Sequence, residues 1–390
     1  MLAALVLSAT GGAHAGTSLP SCARDLPQGA AGLPAEIVVT TRCGRFGLEP
    51  TASVVFKGMF TLPVPRGAIY SPDDLTWYRF LHGHLLIGRG LRQLWRSHDR
   101  YRGTYPGNVG EVILGARELA FSYYESGRPP RPPHLYLARY GGRERRVAEG
   151  ETPLEFPDSG ELVAWRERSR ALVIRTAAGR FERLLASQAS DPQVDRQSGM
   201  LLFRAHSALR VFDGHGVQEV ARLGDLGLDR GTTVVEPLGR LVALHNRNRL
   251  VVIDYDGQIV ASTVLPEHPQ QADGVSSSVV ANADGTAVAF TATAGNTAYG
   301  SHGHEVVYLL ADGERQARPL SDEELDFNLC ERAAWLAWRG QWLLYSNTEQ
   351  RAAVVDSSGV AAPIELSGVI SRLPGTKADG FFDISWAGSS

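Results

Sequence analysis

Apolar and polar residues alternate along most of this chain in short runs, many of which close on a glycine. The clearest internal repeat is the gapless match of ALVIRTAAGRF, residues 171–181, on EIVVTTRCGRF, residues 36–46. Looser copies are HLYLARYGG at His134, ALRVFDGHG at Ala208, RLVVIDYDG at Arg249, EVVYLLADG at Glu305 and RAAVVDSSG at Arg351. A period of two marks half-buried strands, and the closing glycine supplies the positive φ of a tight hairpin turn. A second apolar strand comes ahead of these runs: HLLIGRG at His84, ELAFSYY at Glu118, ELVAWRE at Glu161, MLLFRAH at Met200, RLVALHN at Arg240, TAVAFTA at Thr286 and QWLLYSN at Gln341. Turns such as PDSG at 157–160 and NADG at 282–285 lead into them. From Glu118 to Thr286 these strands begin about forty residues apart, the spacing of four-stranded repeat units.

The pattern predicts an all-β chain, a β-propeller of four-stranded blades, with eight blades the first reading and seven the second. The termini complete the pattern. DISWAG at 383–388 matches WLAWRG at 335–340, which opens the last complete unit, whereas residues 36–56 supply only the later strands of a unit. One blade built from both termini would close a ring and hide two sheet edges. The Glu36 segment is read as a third strand, which sets Cys43 in a third-to-fourth turn and leaves the closing blade without a second strand. A double-sheet all-β enzyme without rotational symmetry is the competing fold, and it does not explain the recurring register.

Residues 2–9 form a short apolar run, followed by the small-x-small triplet Ala13-His14-Ala15. Residues 1–15 therefore read as a secretory signal peptide, 16–35 as a linker and 36–390 as a single domain. The basic start usual in such peptides is missing, since Arg24 is the first basic residue, and a frayed apolar terminus of a cytosolic protein is the alternative. No later apolar run is long enough to span a bilayer, so the expected location is secreted or periplasmic, with no transmembrane segment after cleavage. In such a compartment Cys22 and Cys43 can close one loop, worth roughly 3 kcal/mol in the chain-entropy model, and leave Cys330 as a buried thiol. Three unpaired buried cysteines are the other reading. The strand assignment sets Cys43 and Cys330 at opposite ends of their sheets, which argues against a bond between those two.

The turn-then-strand units, the secretory start and the lack of a Trp-Asp dipeptide at the strand ends resemble the TolB-like propellers of bacterial extracytoplasmic proteins more than WD-repeat propellers. The resemblance covers nearly all of the chain beyond the signal peptide and specifies architecture. It implies a scaffold for protein or ligand binding.

Composition narrows the functions further. With 39 basic against 42 acidic residues the net charge is -3, so no overall field draws the chain to nucleic acid or an anionic membrane. Lys57 and Lys377 are the two lysines, which leaves little scope for Schiff-base chemistry. A nucleophile elbow, a P-loop, a Rossmann fingerprint and an EF-hand loop are all missing, and the stretch 71–77 has only the first half of a sialidase Asp-box. No cofactor is implied.

In a propeller the connections joining fourth to first and second to third strands emerge at one face, where function is usually grafted. Four of them read as long: 125–133, 266–274, 294–303 and 321–329. They carry the candidate ligand-binding residues His268, Tyr299, His302, His304, Asp322 and Glu323. Imidazole and carboxylate from consecutive units can bind a divalent metal, with His302 and His304 as the candidate ligands, although a His-x-His pair alone is weak and an exposed polar loop explains it as well. His82-Gly83-His84 is placed in a first-to-second turn, at the opposite face. Arg128 to Pro133 reads as a stiff polyproline-like loop. Trp335, Trp338, Trp342 and Tyr345 read either as a binding stripe or, more simply, as packing between units. The favoured function is a monomeric, non-enzymatic scaffold for a protein or envelope-glycan partner. The alternative is a metal-assisted hydrolase or lyase acting on carbohydrate or peptide.

Overall fold

The structure is a computed structural model. It describes residues 25–388 apart from 60–63, 66, 72–74, 102–107, 126–131, 157–160, 177–181, 196, 230–232, 247–248, 265–274, 295–302, 312, 321–325, 328–333, 348–351 and 377–382. The expected class is the observed one: eight four-stranded antiparallel sheets, the inventory of an eight-bladed propeller. The chain divides into two compact units, one spanning 61–222 and the other holding the described residues before 61 together with those from 223 onward.

The first unit holds four sheets, each with its strands paired in chain order. Sheet 1 is Ile69–Tyr70, Thr76–Leu81, His84–Arg89 and Arg92–Arg96; sheet 2 is Val109–Leu114, Glu118–Tyr123, His134–Arg139 and Arg145–Glu149. Sheet 3 is Glu151–Glu155, Leu162–Arg166, Ala171–Arg175 and Glu182–Ala186; sheet 4 is Ala189–Asp195, Met200–Ala205, Ala208–Phe212 and Val217–Arg222. Middle strands are buried on both faces, which is why they read as almost unbroken apolar runs rather than clean alternations. In sheet 3, Leu162, Ala164 and Val173 pack on Ala120, Leu135 and Leu137 of sheet 2. The alternate residues Val163, Leu172 and Ile174 pack on Leu201, Phe203 and Phe212 of sheet 4. A one-residue slip would exchange these two faces, so burial on both sides fixes the register. In sheet 1 Trp77 is fully buried, and its indole N–H donates to the Gly90 carbonyl at 2.7 Å. A Cβ at Gly88 would lie 2.2 Å from the Trp77 ring, so glycine is required there.

An ion cluster lies on the sheet 3 face that continues Leu162 and Ala164. The Glu151 carboxylate, 1% exposed, accepts hydrogen bonds from Arg175 Nε and Nη2, both at 2.7 Å, and from Arg166. Arg175 and Arg166 also donate to Glu182, each at 2.9 Å. Burial acts to raise the Glu151 carboxyl, and the hydrogen bonds from the two guanidinium groups outweigh it and hold the group below its usual range.

The second unit repeats the plan. Sheet 5 is Val234–Pro237, Leu241–His245, Arg249–Asp254 and Ile259–Val264; sheet 7 is Ala334–Arg339, Trp342–Asn347, Ala352–Asp356 and Ile364–Glu365. Sheet 6 contains Val275–Ala281, Val288–Ala294 and Gly303–Leu310, and its fourth position is filled by two separate pieces, Arg318–Pro319 and Asp326–Phe327, both on the free edge of Gly303–Leu310. The acidic segment 321–325 lies outside the described residues, between these two pieces in sequence.

Sheet 8 joins the termini, in the order Asp383–Trp386, Ile37–Thr41, Gly44–Leu48 and Val54–Gly58. Two expectations are corrected here. The closing sheet has all four strands, and Ile37–Thr41 is its second rather than its third, so Cys43 sits in a second-to-third turn. The repeat match had placed Ile37–Thr41 on the third strand of sheet 3 because both runs are buried on both faces and end at a turn, which makes them alike as sequences. Trp386, 1% exposed, packs with Ile37, Val39, Phe46 and Leu344, and its indole N–H donates to the Ala337 carbonyl at 3.0 Å. The short helix Ser367–Ile370 adds Val369 and Ile370 to the same core. Just after it, Thr41 Oγ1 donates to the Pro374 carbonyl at 2.7 Å, and Gly375 lies so close to the Cys43 amide that a Cβ would stand 2.7 Å from that nitrogen. Among the described residues no helix is long and apolar enough to cross a membrane.

Candidate functional site

In each antiparallel sheet the second-to-third and fourth-to-first connections leave from one end, and the other two kinds leave from the opposite end. The two ends differ in length of connecting chain. Connections 59–68, 97–108, 124–133, 223–233, 265–274, 295–302 and 366–382 all belong to the first end. At the other end none is longer than the seven residues of 311–317 and 357–363. Sequence reading found three of these long connections and missed four, because 59–68, 97–108, 223–233 and 366–382 contain apolar residues that resemble strands. Leu223, Leu226 and Leu228 are buried within one of them.

Two buried imidazoles, each facing a carboxylate, lie at that end. His134, the first residue of a third strand, is 5% exposed and sets Nε2 3.4 Å from Glu125, while its buried Nδ1 has no partner among the described residues. Beside it the Tyr101 and Tyr123 rings stand 4.7 Å apart, and Phe121 stacks on Tyr136 at 5.1 Å. Burial, with a smaller contribution from the Glu144 charge, raises the Tyr101 hydroxyl above its ordinary value, so it is a neutral phenol. His245, the last residue of a second strand, is 2% exposed with Nε2 3.4 Å from Glu236 Oε1. The second oxygen of Glu236 accepts the Val279 amide of sheet 6 at 3.2 Å, which joins the pair to the neighbouring sheet. Sequence reading missed both pairs, and the available signal was a histidine at the end of an apolar strand run. The two imidazoles are packed in the protein: His134 faces Glu125 at the start of the 124–133 connection, and His245 faces Glu236 of the adjoining strand.

Most of the predicted site residues, His268, Tyr299, His302, Asp322 and Glu323, lie outside the described residues, as does Cys22. His304 is described in its backbone, opposite Ala294 on one side and Asp326 on the other. The backbone pairing thus brings Gly303-His304 and Asp326-Phe327 together at one sheet edge. Among the described residues no group of three or more His, Cys, Asp or Glu side chains is arranged to hold a metal ion. Cys43 is disulfide-bonded. Its partner lies outside the described residues, where both other cysteines fall, and Cys43's place in a second-to-third turn removes the geometric argument against Cys330.

His82-Gly83-His84 joins the second and third strands of sheet 1, which corrects its expected end. His84 Nδ1 is 2.9 Å from the Ser97 carbonyl, a hydrogen bond that fixes the strand after the turn. Packing between sheets is the observed role of three aromatic residues: Trp338 donates to the Val280 carbonyl at 3.3 Å, Tyr345 to the Leu320 carbonyl at 3.4 Å, and Trp342 joins the sheet 8 core. The side chain of Trp335 is outside the described set. Burial pushes the Glu155 carboxyl up to about 7, a value suited to proton transfer, but Glu155 ends a first strand and so lies away from the long connections.

No protein-family model matches the sequence, and no curated protein matches it. Solved structures similar to it include apo AztD from Citrobacter koseri, 8% identical, covering 90% of this chain and 96% of that one at a TM-score of 0.44. A eukaryotic initiation factor is 9% identical and covers 90% of this chain and 98% of its own at 0.40. The N-terminal domain of Nup159 is 10% identical, with coverages of 76% and 75%, at 0.34. The eight sheets rest on the chain's own strand pairing.

Proposed function

We propose that the chain is an extracytoplasmic, TolB-like propeller that acts as a binding scaffold for a protein or envelope-glycan partner. The observation that carries this reading is the uneven distribution of connecting chain, with every connection longer than seven residues at one end of the sheets. Loops held by a rigid framework are where binding surfaces form, and the buried His134 pairs with Glu125 at the start of the 124–133 connection. The disulfide at Cys43 supports an oxidising compartment and therefore the signal-peptide reading of residues 1–15.

The second reading, a metal-assisted hydrolase or lyase, is favoured by one observation: a histidine, His304, and an aspartate, Asp326, are backbone register partners on adjacent strands.

Photo-crosslinking residues distinguish the two ends of the sheets. They are placed at the exposed positions Arg100 and Asp225 in long connections, and at Asp284 and Val360 in short turns at the opposite end. Adducts with an envelope component are expected from Arg100 and Asp225 and not from Asp284 or Val360. Adducts confined to Asp284 and Val360, or zinc-dependent cleavage of a peptide or glycan that is lost in His304→Ala, would overturn the scaffold reading.

A further inference from the structure

A hollow of about 330 Å³ opens between the outer strands of sheets 3 and 4, within one compact unit. Its volume falls at the lower end of the range of small-molecule sites, roughly 300–1,000 Å³. Leu184, Leu185 and Val217 form an apolar wall, and Ser187, His206 and Arg210 supply polar groups. Leu184 is 59% exposed, a large apolar side chain left in water on an edge strand.

Arg210 gives the hollow its sign. The nearest carboxylate is Glu219, register partner of Arg210, and its oxygen stays 3.6 Å from Nη2, beyond hydrogen-bond length. The other Glu219 oxygen already accepts Arg222 Nε at 3.0 Å. Among the described residues the Arg210 guanidinium has the Glu219 ion pair and no hydrogen bond, and its buried Nε has no partner. The Nη groups, partly exposed and engaged by Glu219 only at ion-pair distance, stand next to exposed aliphatic surface and are complementary to a planar oxyanion attached to an apolar body.

We propose that this hollow binds a small monocarboxylate with a short aliphatic or aromatic body, the carboxylate on Arg210 and the body against Leu184 and Val217. Neither half alone suffices. An inorganic anion leaves the apolar wall wet, and an uncharged alcohol of the same shape leaves the guanidinium with the distant Glu219 contact alone.

Calorimetric or NMR titration of the full chain with hexanoate, hexanol and inorganic phosphate tests this. Saturable binding of hexanoate is expected, with hexanol and phosphate at least about tenfold weaker. Arg210→Gln should weaken hexanoate by about tenfold or more, and Leu184→Asp, which sets a carboxylate at the mouth, should do the same. Because Leu184 is exposed, its variant retains the fold and decides the matter should Arg210→Gln unfold. Equal binding of hexanoate and hexanol, unchanged hexanoate affinity in Leu184→Asp, or no binding of hexanoate to the unaltered chain would each overturn the proposal.

Discussion

Replacing Trp386 by alanine is expected to destabilise the chain by about 3–5 kcal/mol, a large share of the total stability of a typical domain. The indole is fully buried among Ile37, Val39 and Phe46 of the N-terminal strands and Leu344 of sheet 7, and the cavity left behind is lined by residues from both ends of the chain. Losing its hydrogen bond to the Ala337 carbonyl adds about 1 kcal/mol. Urea midpoints of the two proteins measure the difference. A loss below about 1 kcal/mol would mean that the C-terminal strand contributes little to sheet 8.

Glu151→Gln should have an effect of similar size, about 3–5 kcal/mol, because it leaves two guanidinium groups facing a buried amide. Arg175 is 8% exposed, and Glu182, itself 37% exposed, is then the one carboxylate left in the cluster. The pH dependence has a defined sign. The Glu151 carboxyl is held below its unfolded value, so its stabilising contribution is present above the unfolded pKa and is lost as pH falls through the folded pKa. Urea midpoints of the unaltered chain should therefore drop as pH falls below about 4.5, and Glu151→Gln should show a flatter profile in that window. Parallel profiles for the two proteins would show that Glu151 is not the ionised centre of the cluster.

The strand repeat was legible because short apolar runs and the turn glycines that close them are local features that do not depend on the rest of the molecule. Seven of the eight sheets could be placed from segments such as Glu118, Met200 and Thr286. The closing sheet could be recognised as shared between the termini, but its strands could not be numbered. Ile37–Thr41 and Ala171–Arg175 are both buried on both faces, and only pairing with Asp383–Trp386 shows that the former is a second strand. The helix Ser367–Ile370 was missed because four residues show no helical period; it is held by burial of Val369 and Ile370. The candidate loops were legible as polar and long. The two buried histidines were not, since the His134–Glu125 and His245–Glu236 pairs acquire meaning only through tertiary contacts. The Arg210 hollow lies between two sheets and has no contiguous sequence signal.

Hydrogen exchange read by mass spectrometry tests the shared sheet most directly. Amides of Ile37–Thr41 and Asp383–Trp386 pair with one another in register, Val39 opposite Ile384, although they come from opposite ends of the chain. Both segments are predicted to be strongly protected, to exchange together, and to lose protection together in Trp386→Ala. Exchange of 383–386 at the rate of an unstructured chain, while 37–41 stays protected, would contradict the closure of sheet 8 by both termini.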